Sequence, residues 1–130
     1  MKNTTLDKKE IFNIAIIDDE PEIVSMLEKY LIREGKYHVT TYTNPIHAIS
    51  SLASNTDLVL LDIMMPQMNG LDVLPKILEK NPKVKVLMMT AYSTLDKVLN
   101  AHRYGAEDYI MKPFSSLNEL SQKIQTIIKR

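Results

Sequence analysis

Charged or hydroxyl side chains stand at the ends of four short apolar runs. Asp18 and Asp19 close the run Phe12 to Ile17, Asp62 closes Leu58 to Leu61, Thr90 closes Val84 to Met89, and Lys112 follows Tyr109 to Met111. If the first and third runs are neighbouring strands, three carboxylates meet at one place, where mutual repulsion raises their pKa values unless a cation is present. With no His or Cys at these positions, oxygen ligands favour a hard ion, and a shallow site that keeps its waters suits Mg²⁺ better than a closed Ca²⁺ cage. A metal, a Lys, a hydroxyl and a carboxylate together match a phosphoryl group, whose charge spreads over several oxygens. Asp62 could then act as a nucleophile that carries the phosphoryl group as an acyl phosphate.

These residues need a scaffold that brings chain-distant strand ends to one rim. The periodicity supplies it. Near-continuous apolar strands at 12–17, 38–42, 58–61, 84–89 and 109–111 alternate with helical patterns at 21–34, 45–54, 71–80, 94–104 and 117–128. Gly35, Gly70 and Gly105 punctuate the elements; Pro21 and Pro45 suit first helical turns, and Ser116 with Glu119 forms a capping box. Strict alternation predicts an α/β fold, a single doubly wound five-stranded parallel sheet with helices on both faces and right-handed crossovers. In such a sheet, ligands bind beyond the carboxyl ends of the strands, where Asp18, Asp19, Asp62, Thr90 and Lys112 all lie.

Composition narrows the class further. The 130 residues include 16 Lys and Arg against 16 Asp and Glu, are 45% hydrophobic, and contain no Cys. One domain fits this length, with residues 1–10 expected as a flexible extension and 11–130 as the folded unit. Disulfides and Cys-ligated zinc are excluded, and balanced charge gives no bulk attraction for nucleic acid or anionic membrane. No apolar stretch reaches spanning length, and the charged start MKNTTLDKKE is no signal peptide, so a cytoplasmic location is expected.

The stretches IAIIDDEPEI, LVLLDIMMPQMNGLDVL, VLMMTAYS and DYIMKPF resemble the receiver domain of two-component response regulators, the CheY-like family. The resemblance covers about residues 11 to 129 and implies the flavodoxin-like strand order 2-1-3-4-5. It implies that Asp62 accepts a phosphoryl group from a sensor histidine kinase, a phosphotransfer protein or a small phosphodonor. Asp19 and Asp62 would be carboxylate ligands of Mg²⁺, with the Met64 carbonyl as a third protein ligand and Asp18 acting mainly through water. Lys112 and Thr90 would contact the phosphoryl oxygens, Tyr109 would be the switch aromatic that follows Thr90 inward, and the Lys112 to Pro113 peptide matches a position that is usually cis. The surface of helix 94–104, the last strand and the last helix would then change its hold on a downstream protein or a fused output domain, with homodimerisation open at the family level. Met64 and Tyr92 depart from the polar residues often found at these tuning positions, and a longer phosphoryl lifetime is the expectation. The chain would be a regulator assisting its own phosphorylation and dephosphorylation, either complete or excised from a longer protein, and not an enzyme acting on free substrates.

Taken singly, each residue has a plainer explanation. Asp18 and Asp19 suit a turn or cap, Asp62 a loop before Pro66, Thr90 a strand, Tyr109 a core, Lys112 a solvated loop, and the many Met residues gap filling. The combination decides against these. Among rivals, a haloacid-dehalogenase-like phosphohydrolase wants a DxD motif after its first strand, where this chain has adjacent acids. An FMN carrier wants a Ser/Thr/Gly-rich phosphate loop there, which DDEPE is not. A receiver that binds partners without being phosphorylated is the third.

Overall fold

A computed structural model describes residues 11–91, 105–112, 114 and 116–130. The expectations for the extension at 1–10, for Tyr92, for the helix at 94–104 and for Pro113 fall outside them. The elements are β1 (Phe12–Ile17), α1 (Pro21–Arg33), β2 (Tyr37–Tyr42), α2 (Pro45–Ser51), β3 (Leu58–Asp62), α3 (Gly70–Lys80), β4 (Lys85–Thr90), β5 (Asp108–Met111) and α4 (Leu117–Ile128). The strands form one five-stranded sheet in the order β2-β1-β3-β4-β5, parallel at each pairing. The expected topology is therefore present.

The central strand β3 is buried at all five positions, as a strand covered on both faces must be. Its alternate side chains feed two separate cores. Val59 and Leu61 pack with Ala48 of α2 and with Val73, Leu74 and Ile77 of α3. Leu58 and Leu60 pack on the other face with Val24, Leu27 and Leu31 of α1 and with Leu120, Ile124 and Ile127 of α4. Among the described residues no helix is long and apolar enough to cross a membrane.

The boundaries differ from the sequence pattern in ways that local geometry explains. Helix α2 stops at Ser51, three residues earlier than the periodicity predicts, because Leu52 takes an extended ψ of 127° while its N–H still donates to the Ala48 carbonyl. The chain then turns, with the Thr56 N–H and hydroxyl both donating to the Ala53 carbonyl. Gly35 and Gly105 adopt left-handed φ values of 81° and 105°, the conformation glycine takes at least cost. Gly70 serves differently: it is the first residue of α3, and a Cβ there would lie 2.1 Å from the Asp62 carbonyl oxygen.

Candidate functional site: an acidic pocket at the carboxyl rim

Strand register assembles the pocket. Ile17 pairs with Leu61, so one residue further on both strands stand Asp18 and Asp62. On the other side Asp62 pairs with Met89, and Thr90 with Met111. The Lys112 N–H donates to the Thr90 carbonyl at 2.7 Å, which extends the ladder by one residue and sets Lys112 on the same rim. The loop after β3 is closed by the Ile63 N–H to Met89 and by the Gly70 N–H to the Ile63 carbonyl at 2.7 Å. Asn69 caps α3 by accepting from the Leu71 N–H, so the helix starts directly beneath the Asp62 backbone.

At this rim Asp18, Asp62, Thr90 and Lys112 are all buried, with Asp62 only 2% exposed. The Lys112 ammonium lies 2.5 Å from Asp18 Oδ2, 3.1 Å from Glu20 Oε1 and 3.3 Å from Asp62 Oδ1. Asp18 Oδ1 accepts the Glu20 N–H at 2.9 Å, fixing the turn that leads into α1. Asp18 Oδ2 is buried against the Lys112 ammonium. One ammonium thus faces three carboxylates whose oxygens lie within 4.8 Å of one another: Asp18, Glu20 and Asp62.

The electrostatics follow from this imbalance. Burial is the largest influence on Asp62 and, with the charge of Asp18 next, pushes its pKa up to about 7 against the pull of Lys112; Asp19 adds a further upward push. Burial likewise raises Asp18, opposed by Lys112 and by the Glu20 N–H. For Lys112 burial works downward, but the adjacent Asp18 and then Asp62 outweigh it, so the ammonium holds its proton more firmly than usual. Two buried carboxylates and an exposed third around one ammonium leave surplus negative charge, which a hard divalent cation satisfies. The donor set fits Mg²⁺.

Other expected residues take distinct places. Asp19 is half-buried at the end of β1 and stands outside the converging trio, acting on Asp62 through its charge. Met64 lies two residues beyond Asp62 in the loop, 45% exposed. Tyr109 is half-buried on β5, packs against the core on the α2 and α3 side, and has the Lys123 ammonium 6.0 Å from its ring centroid. Glu20 was not among the expected site residues. Its signal was present in DDEPE: Glu is a poor residue for the position that caps a helix, so another role has to account for it.

Comparison with known proteins agrees with this geometry. The family profile described as the response regulator receiver domain matches residues 14–125. The response regulator SaeR of Staphylococcus aureus strain USA300 is 36% identical over 118 residues, which cover 91% of this chain and 51% of SaeR. The chain spans about half the length of the curated relatives it matches. A CheY-like receiver domain protein from Methanospirillum hungatei JF-1 superposes with a TM-score of 0.83 at 30% identity, covering 92% of this chain and 94% of that one. The protein TrrA from Thermotoga maritima, solved in complex with Mg²⁺ and BeF, superposes with a TM-score of 0.79 at 36% identity, covering 90% and 99%. A parallel sheet in the order 2-1-3-4-5, an acidic rim holding a buried lysine, and a profile match over most of the chain lead to one conclusion: the chain belongs to the response regulator receiver domain family of two-component systems.

Proposed function

We propose that the chain is a phosphorylation-controlled switch in which Asp62 accepts a phosphoryl group from the phosphohistidine of a sensor kinase or phosphotransfer protein, or from a small phosphodonor. The observation that carries this reading is the buried Asp62 carboxylate held 3.3 Å from the Lys112 ammonium at the mouth of the sheet. An ionised Asp62 oxygen attacks phosphorus, the O–P bond forms as the N–P bond breaks, and the freed imidazole takes up a proton. Asp18, Asp19 and Asp62, with the Met64 carbonyl, would hold Mg²⁺, which neutralises charge on the incoming anion. Lys112 supplies the fixed positive charge on the other side, and the Thr90 hydroxyl donates to a phosphoryl oxygen.

Charge that arrives at Asp62 redistributes the contacts of Lys112 and Thr90, and Tyr109 on the adjacent strand follows. The resulting change reaches β5 and α4, the surface offered to a downstream protein or output domain in the cytoplasm, with no direct nucleic-acid contact by this domain. TrrA solved with Mg²⁺ and BeF, a phosphoryl mimic, supports the same site chemistry. On this reading the chain promotes its own phosphorylation and dephosphorylation and turns over no separate substrate. The test is mass spectrometry after incubation with Mg²⁺ and acetyl phosphate: one phosphoryl group on Asp62 is expected, absent in Asp62→Asn. Labelling that survives in Asp62→Asn would sink the proposal.

A further inference from the structure

Among the described residues, the strand ends account for the charged groups that converge at the rim except Glu20. It occupies the residue before α1 with extended backbone angles, φ −95° and ψ 106°, and its side chain makes no capping hydrogen bond. At the corresponding position of the other three described helices, Asn44, Asn69 and Ser116 each accept a backbone N–H. The Glu20 carboxylate instead reaches Lys112, 92 residues away in the chain, at 3.1 Å. The pair is lopsided: the Lys112 side chain is 7% exposed and that of Glu20 55%.

We infer that Glu20 is a positioning residue that latches the Lys112 ammonium in the unphosphorylated form and competes for it with an incoming phosphoryl anion. The inference rests on the reading of Asp62 as the phosphoacceptor. Asp18 and Asp62 are fixed by strand register, whereas Glu20 projects to solvent from a turn, so of the three partners of Lys112 it is the one that can leave at least cost. Exposed ion pairs are weak enough to exchange readily for a doubly charged anion. Until it leaves, its charge at the mouth also repels anionic donors.

Phosphorylation of Asp62 is followed by mass spectrometry at saturating Mg²⁺ over a range of acetyl phosphate concentrations in wild type, Glu20→Gln and Glu20→Asp. Glu20→Gln should lower the half-saturating donor concentration by about two- to fivefold, the range set by an exposed ion pair. The gain lies there and not in the limiting rate. Glu20→Asp, one methylene short of Lys112 but still charged, should fall between the two. The advantage of Glu20→Gln should shrink as salt screens the mouth, and Mg²⁺ affinity by calorimetric titration should change less than about twofold, since the latch holds Lys112 and not the cation. Half-saturation equal in all three proteins overturns the inference, as does an approximately tenfold loss of Mg²⁺ affinity in Glu20→Gln, which would make Glu20 a metal ligand. If wild type itself takes no phosphoryl group on Asp62, the parent reading fails and the latch with it; normal labelling with indistinguishable variants removes the latch alone.

Discussion

Asp62 is a carboxylic acid set to release its proton near neutrality, and its neighbours determine the direction in which pH acts. Its pKa is raised in the folded state from 3.8 to about 7, so between those values the native chain binds more protons than the unfolded one. Stability therefore falls as pH rises through that window and levels off above it. The raised Asp18 works in the same sense. A divalent cation needs the ionised form, so apparent Mg²⁺ affinity should be about tenfold weaker at pH 6 than at pH 8. Thermal unfolding with and without Mg²⁺ should show the larger stabilisation at pH 8; an equal shift at both would contradict the raised pKa. At the same scale, Met64 lies two residues beyond Asp62 with its side chain exposed, a position from which, on the proposed function, a polar side chain could orient water. Met64→Asn should shorten the lifetime of the phosphorylated protein by about threefold or more, less than 1.4 kcal/mol of barrier. Decay followed by intact mass would register it. Asp18, Asp62, Thr90 and Lys112 were legible as abrupt polar ends of apolar runs. Glu20 was not assigned, because its partner lies 92 residues away and no local periodicity links the two.

The β3–α3 connection shows how an element holds Asp62 in place. Gly70 approaches the backbone of Asp62 and Ile63 so closely that a methyl group would meet the Asp62 carbonyl oxygen at 2.1 Å and the Ile63 Cα at 2.8 Å. Backbone cannot yield as a side-chain tip does. Gly70→Ala should cost about 2 to 3 kcal/mol in denaturant unfolding and slow phosphorylation of Asp62 in the molecules that remain folded. Wild-type rates in that variant would mean that the loop relaxes without moving the carboxylate. Glycine in a sequence pattern reads as punctuation, which holds for Gly35 and Gly105 with their positive φ. The role of Gly70 is close approach within the tertiary fold, which spacing along the chain does not record. Helix starts were similarly readable at Pro45 and at the Ser116 cap, whereas the Asn69 cap of α3 was read as loop. The end of α2 was not readable, since Leu52 departs from helical geometry without a Gly or Pro to announce it.

Across the whole molecule, one sheet separates two cores, and the central strand contributes alternately to each. Leu60 is fully buried on the α1 and α4 side, so Leu60→Ala should lose about 2 to 5 kcal/mol. Ile32→Ala, at a side chain 55% exposed on the solvent side of α1, should stay within about 0.5 kcal/mol of wild type. Chemical denaturation of the two variants compares them directly, and similar losses would contradict the two-core layout. The strand order was legible through the family resemblance alone; alternation showed only a parallel sheet covered on both faces, because uninterrupted apolar strands leave few other ways to be buried.

The parallel polarity of the sheet has a further consequence. Among the described residues Asp18, Asp62, Thr90 and Lys112 gather where the strands finish, while at the opposite rim the Asn13 N–H donates to the Asp57 carboxylate and the Asn13 side-chain amide to the Asn55 carbonyl. Chemistry and scaffolding are thus separated by the full height of the sheet. The exposed turn at Ser54 and Asn55 is therefore a natural place to graft a tag or a tether that leaves the acidic rim undisturbed.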